Sequence, residues 1–352
     1  MHHNLVRLLF FVFSCLFSQQ VASLEHETEM GRHNSIVQVD SDTYALAYSD
    51  ENEKGWIATF TISSNGSSIT EIASLKHNNS QGLYNSLVQI DSDTYLLAYT
   101  GPDNDGFISS FTISSDGTSI TEITELEYQT SHAEYNSLVQ VDSDTYALAY
   151  SGPNIDGFIT TFTVPTNGSS ITEVATIEHN TSDASYNSLI QVDSDTYLLA
   201  YTGTNEDGFI ATFTISSNGA TITEVDEIEH DTDKGRHNSI VQIDSDTYTL
   251  AYEGLNSDGF IKTFSVQSDG TLPVELTSFD LLETRNNGIT LQWVTESELT
   301  NLGFNLDRKT PITDWSQIAS YVTHPELQGQ GSVSHQTIYT FTDNTVQENE
   351  SY

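Results

Sequence analysis

Basic residues are nearly missing from this chain: 10 Lys and Arg stand against 50 Asp and Glu among 352 residues, a formal net charge of −40 at pH 7. A surface of that sign repels nucleic-acid phosphates and anionic lipid, which excludes both as partners. Cysteine is scarcer still. Cys15 is the only one, so no intramolecular disulfide can form and stability must come from burial and sheet pairing. Long apolar runs are also absent. The run Leu8 to Phe17 is about half the roughly 20 residues a membrane-spanning helix needs, and no later run is longer. With Arg7 ahead of it and Val21-Ala22-Ser23 behind, it reads as a signal peptide over residues 1–23, giving an exported, soluble chain without membrane insertion. Lipidation at Cys15 is disfavoured, because Phe13 stands where small residues are usual.

What the chain has in abundance is itself. A 51-residue period is marked by Asn-Ser at Asn34, Asn85, Asn136, Asn187 and Asn238, and by Asp-Ser-Asp-Thr-Tyr starting at Asp40, Asp91, Asp142, Asp193 and Asp244. Each unit shows two short β-type runs around the Asp-Ser-Asp-Thr turn, such as Asn136 to Val141 and Tyr146 to Tyr150. A third alternating run follows, such as Gly157 to Val164, and after Asn-Gly or Asp-Gly a fourth, such as Ser170 to Glu178. Four short strands per unit predict a five-bladed β-propeller over residues 24–271 within an all-β chain. In the fourth run Ile69, Ile72 and Leu75 are spaced by three. This reads as a bulged outer strand, the alternative being a helical turn in a solenoid. Leu24-Glu25-His26 matches Ile228-Glu229-His230, so the N-terminal piece is expected to complete the last blade and remove an exposed edge.

From Leu272 the composition changes, and residues 272–352 read as a second, incomplete β-sandwich. Leu272-Pro273-Val274-Glu275-Leu276-Thr277-Ser278-Phe279, then Leu291-Gln292-Trp293-Val294-Thr295-Glu296-Ser297-Glu298 and Asn301-Leu302-Gly303-Phe304 to Arg308, resemble secreted and surface proteins of Bacteroidetes type. In those proteins such a motif opens a fibronectin type III-like module ahead of a type IX secretion sorting domain. The resemblance covers roughly the last 80 residues. It implies a secreted or cell-surface protein, of which the sequence is a fragment.

The loops after the first and third strands are near-invariant turns, whereas those after the second and fourth strands vary, which is where recognition sits on a fixed scaffold. The expected ligand face carries His33, Tyr84, Tyr135, Tyr186 and His237 at the entry to the inner strands, beside Asp105, Asp156, Asp207 and Asp258. Aromatic and acidic groups once per blade suit a sugar ring. Ring-mouth packing and turn formation is the plainer account of the same residues. Calcium is weighed at Asp103-Asn104-Asp105-Gly106, but no distal Glu completes a loop of ligands, and no metal or other cofactor is assigned. No Gly-x-Ser-x-Gly, His-Glu-x-x-His or phosphate-loop pattern occurs. Equivalent blades offer equivalent acids, where a glycosidase needs two carboxylates in unequal environments. The expectation is therefore a monomeric, multivalent adhesion or glycan-binding module, not an enzyme, whose partner is an extracellular glycan or surface protein. A ligand-free spacer and a secreted hydrolase-type propeller are the alternatives.

Overall fold

The computed structural model describes residues 20–267, 270–272, 276–285, 288–295, 298–310, 315–333 and 336–346. Most of the expected signal peptide, with Cys15, lies outside the described residues, as do Pro273-Val274-Glu275 and Glu296-Ser297. Among the described residues no helix is long and apolar enough to cross a membrane.

The repeats fold as five successive antiparallel sheets. The first is β1 (Arg32–Gln38), β2 (Thr43–Ser49), β3 (Gly55–Ile62) and β4 (Ile69–Asn78). The second is β5 (Leu83–Gln89), β6 (Thr94–Thr100), β7 (Gly106–Ile113) and β8 (Ile120–Gln129). The third is β9 (Glu134–Asp142), β10 (Thr145–Ser151), β11 (Gly157–Thr163) and β12 (Thr172–Asn180). The fourth is β13 (Ser185–Gln191), β14 (Thr196–Thr202), β15 (Gly208–Ile215) and β16 (Ile222–Asp231). The fifth has three strands among the described residues, β17 (Arg236–Asp244), β18 (Thr247–Glu253) and β19 (Gly259–Ser265). Residues 276–343 add β20 (Leu276–Arg285), β21 (Gly288–Thr295), β22 (Glu298–Gly303), β23 (Asn305–Arg308), β24 (Ser316–Ser320), β25 (Gln328–Val333) and β26 (Thr337–Asp343). These close over a small core of Trp293, Leu306, Leu327, Tyr339 and Phe341.

The spacing of three in the fourth run is a bulge. Thr59 pairs with Ala73 and Phe60 with Glu71, leaving Ile72 as the extra residue, and the same slip recurs at Ile123, Val174 and Val225. A bulge flips the side-chain alternation, so Ile69 packs with Leu46, Tyr48 and Phe60 on one face and Leu75 with Ala47 and Ile57 on the other.

The second, third and fourth sheets bury both faces. Tyr197, Leu199 and Tyr201 of β14 pack against Ala147, Ala149 and Ile159 of the preceding sheet. Leu198, Ala200 and Ile210 pack against Tyr248, Leu250 and Tyr252 of the following one. Tyr and Phe are among the largest fully buried side chains at these junctions, and burial stabilises by about 25 cal/mol per Å² of apolar surface removed from water.

The Asn-Ser signature explains itself at the same junctions. Asn85, Asn136, Asn187 and Asn238 each donate from Nδ2 to the backbone carbonyl of His33, Tyr84, Tyr135 and Tyr186 in the preceding sheet, at 3.2 to 3.3 Å. The Oγ of Ser35, Ser86, Ser137 and Ser188 accepts the backbone N–H of Leu87, Leu138, Leu189 and Ile240 in the following one. A third hook repeats outward: Thr59, Ser110, Thr161 and Thr212 donate their hydroxyls to the carbonyls of Gly117, Gly168, Gly219 and Gly270. The second Asp of each Asp-Ser-Asp turn holds the end of the third strand through its carbonyl, as Ile113 N–H to Asp93 O at 2.8 Å. These turns are structural.

The N-terminal piece behaves differently from expectation. The His26 ring packs on Tyr48 and Phe60 of the first sheet, as His77 packs on Tyr99 and Phe111. It thus covers the first sheet, but it forms no strand beside β19 among the described residues.

Candidate functional site

The five aromatics expected at the ligand face do come together. His33, Tyr84, Tyr135, Tyr186 and His237 form one continuous ladder, with successive ring centroids 4.3, 4.5, 4.4 and 4.3 Å apart and tilted by about 50°. All five sit at positive φ, between 49° and 55°, where the first and second strands of each sheet slip register. Left-handed backbone at a bulky aromatic costs of order 1 kcal/mol or more and persists only where the surroundings over-determine it. For His33, Tyr84, Tyr135 and Tyr186 the Asn side chain of the next sheet does so, by holding the carbonyl of the strained residue. Burial pushes the His33 pKa down, with help from Arg32, and pushes the Tyr84 and Tyr135 hydroxyls up.

The four acids divide. Asp105, Asp156, Asp207 and Asp258 each close a tight turn between the second and third strands, their N–H groups bonded to the carbonyls of Pro102, Pro153, Thr204 and Leu255. Asp105 and Asp207 face Glu127 and Glu229 on the outer strands. Burial first, and the neighbouring Asp next, raises the pKa of each of these Glu residues. That direction is away from the ladder. Asp156 takes a bond from Asn154 in its own turn. Asp258 shares a concavity with the ladder residue His237. For calcium, Asp103 is exposed at positive φ, and among the described residues no three His, Cys, Asp or Glu side chains gather as a metal site.

The concavity, about 380 Å³, is lined by His237, Ser239, Ala251, Tyr252, Glu253, Ser257, Asp258 and Gly259. Glu253 is the residue that sequence reasoning missed. Its counterparts in the earlier repeats are Ser49, Thr100, Ser151 and Thr202, buried hydroxyls that donate to the carbonyls of Gly82, Ala133, Ala184 and Gly235. A carboxylate cannot donate, and Glu253 turns instead to His237, whose Nε2 lies 3.5 Å from Oε2, and to the ammonium of Lys234. Lys234 also donates to Ser257 Oγ at 3.2 Å. The Lys234 bond, then Ser257, holds the Glu253 carboxyl below its ordinary range, so it is an anion at neutral pH. The signal was available in the sequence as the one acid in a column of hydroxyls.

No family model matches the chain, and no curated protein matches it. Solved structures do. A periplasmic gluconolactonase of Pseudomonas aeruginosa is similar with a TM-score of 0.54 at 13% identity, over 87% of this chain and 87% of its own. A putative 6-phosphogluconolactonase of Bacteroides fragilis is similar with a TM-score of 0.53 at 12% identity, over 74% and 79% of the two chains. Its counterpart from Bacteroides uniformis gives 0.51 at 11% identity, over 86% and 87%. The fold is that of a β-propeller. At these identities the likeness speaks for the fold, and it lends no support to a fibronectin module or to type IX secretion.

The expectation of a non-enzyme is corrected by these findings. The matching propellers are named as lactonases, which points to a hydrolase-type scaffold and away from a non-enzyme. The premise of equivalent acids also fails, because Glu253 stands where the other four repeats have Ser or Thr.

Proposed function

We propose that the chain is a hydrolase-type propeller that acts outside the cytoplasm on a small sugar-derived ester, a sugar lactone being the substrate class that fits best. The observation that carries this reading is the set of groups around Glu253: His237 at 3.5 Å, Ser257 and Asp258 line one concavity with it, and the Lys234 ammonium, which is not part of that lining, pairs with Glu253 and Ser257. The lactonase titles of the matched structures support the choice of substrate class, and the N-terminal run Arg7 to Ser23 supports export.

In this reading the sugar ring stacks on the ladder end at Tyr186 and His237, since apolar ring faces pack well on aromatic side chains. Glu253 accepts from Nε2–H of His237 and so leaves Nδ1 free to take a proton. A water beside Nδ1 is deprotonated as its oxygen bonds to the lactone carbonyl carbon. The Ser257 hydroxyl, which lines the concavity and accepts from the Lys234 ammonium, can counter the negative charge that develops on the carbonyl oxygen. The ring C–O bond then breaks, and the imidazolium returns its proton to the departing alkoxide, giving the open hydroxy acid. General base catalysis of this kind contributes about 10²- to 10⁴-fold.

Lactone opening releases a proton at neutral pH, so a pH-stat assay on a panel of aldonolactones tests the reading, with chromogenic glycosides run beside it. Saturable proton release on at least one lactone, above the buffer rate, is the expected result. If every lactone opens at the buffer rate in the presence of the protein, the reading is wrong.

A further inference from the structure

The two ends of the five-sheet stack are unfilled halves of the junction that the chain makes four times internally. At the outgoing end, Ile261 is 76% exposed, whereas its counterparts Ile57, Ile108, Ile159 and Ile210 are all at 0%. Val241 and Ile243 are exposed beside it. Thr263 and Ser239, which correspond to the hooks Thr212 and Ser188, are exposed and have no side-chain hydrogen bond among the described residues. Gly259 has open space where Gly208 meets His230 and Gly235 of the next junction. At the incoming end, Ile36 is 60% exposed against 4% for Leu87 and Ile240. Asn34 reaches only Gly31 in its own loop, where Asn85 reaches across to His33. Gly31 and His26 stand ready for the Gly259 position, as Gly82 and His77 do for Gly55.

We propose that the outgoing face of the fifth sheet docks the incoming face of the first sheet of a second copy of this chain, head to tail. The occupant is specified by the repeat itself. The chemistry that fits Ile261, Thr263 and Ser239 is a sheet bearing Ile36, the Gly66 carbonyl, Asn34 and the Ile36 N–H, which this chain presents at its other end. Residues 24–27 of the incoming copy also supply a strand for the free edge of β19, by the register that pairs Trp56 with Lys76 and Gly55 with Asn78. The copy's own first sheet already holds that segment through His26. This differs from the expected monomer, and from closure of the ring on itself.

Such a contact is heterologous, so it propagates: each added copy brings a new outgoing face. Two chains of charge −40 repel at long range, and the contact strengthens as salt screens them. The Glu253 concavity borders this face through Ser239 and Gly259, so assembly would close it and the proposed activity belongs to the unassembled chain. That last consequence alone rests on the proposed activity, and the mass measurement below does not depend on it.

The test is light scattering after size exclusion on the full exported chain at several concentrations and at low and high salt. The wild type is expected to show a weight-average mass of two chains or more, rising with concentration and with salt. Ile261→Asp and Ile36→Asp alter exposed residues and retain the wild-type circular dichroism. Each is expected to run as one chain, having lost one end, while their equimolar mixture recovers two chains and no more. A wild type that stays at one chain throughout overturns the proposal, as does a mixture that stays at one chain. Should either variant fail to fold, Val241→Asp replaces the first, and the salt and concentration dependence of the wild type decides the matter by itself.

Discussion

The substitution His179→Tyr isolates one piece of the junction physics. His77, His179 and His230 each have both ring nitrogens buried and without a hydrogen-bond partner, and the Oδ1 atoms of Asn85, Asn187 and Asn238 beside them are unpartnered too. In the one repeat where the chain has Tyr128 at this position, its hydroxyl donates to Asn136 Oδ1 at 2.7 Å. The surroundings of the two sites correspond: Gly106 and Ala133 enclose Tyr128, and Gly157 and Ala184 enclose His179. The new hydroxyl therefore gains one buried hydrogen bond, worth about 1 kcal/mol. Burial lowers the His179 pKa from 6.5 to about 4. A histidine kept neutral by the fold contributes its full stability above the unfolded pKa and loses it as pH falls from 6.5 toward 4. At pH 5.5 that loss is about 1.4 kcal/mol, one pH unit below the unfolded value. The variant should thus be more stable than wild type by about 1 kcal/mol at pH 7.5 and about 2.4 kcal/mol at pH 5.5. In melting temperature this is a gain of about 2 to 4 °C at the higher pH and roughly double at the lower. Urea or thermal melts at the two pH values read this directly. A gain that is the same at both pH values would refute the buried, neutral histidine, and no gain at pH 7.5 would refute the hydrogen bond.

Further outcomes follow from the same geometry. The three buried histidines together should cost the wild type about 4 kcal/mol between pH 7.5 and 5.5, measurable as a falling urea midpoint. Glu224, raised by burial to about 7, opposes this trend, but it is solvent-exposed and its effect is screened, so the net sign should remain a loss. Asn136→Ala removes both the cap on the strained Tyr84 carbonyl and the Tyr128 acceptor, and should lower stability by about 2 to 3 kcal/mol in a denaturant titration. Gly168→Ala places a Cβ 2.9 Å from Ile123 Cδ1 at a φ of 65°, and a drop of about 1 kcal/mol or more is expected by the same assay. Thr161→Val, which strips the hook to Gly219, should cost about 1 to 3 kcal/mol through the carbonyl left unpaired.

The repeat made the strands, their turns and the bulged fourth strand legible, because the first three strands are written five times and the fourth four times, and the period-2 pattern fails at the same place, Ile72 and its counterparts, in each of the four complete sheets. The aromatic ladder was legible as well, since His33, Tyr84, Tyr135, Tyr186 and His237 occupy one column. What the sequence concealed are the interactions between repeats. Nothing local says that Asn85 reaches the carbonyl of His33 52 residues earlier, or that the Asp105 carboxylate faces the outer strand and not the ladder. Glu253 was missed for a different reason. Its column holds Ser49, Thr100, Ser151 and Thr202 in the other repeats, and what the repeats share hides the position where one departs. The open ends were hidden because Leu24-Glu25-His26 matches a fourth strand equally well whether it completes its own chain or another copy.

The most direct test of the account is His237→Tyr, which places at the end of the ladder the residue that the chain already carries at Tyr84, Tyr135 and Tyr186. It keeps the aromatic platform and removes the base, so with the lactone identified in the pH-stat assay kcat should fall about 100-fold or more while KM stays within a few-fold. An unchanged kcat would show that His237 and its partner Glu253 do not carry the chemistry, and would contradict the account.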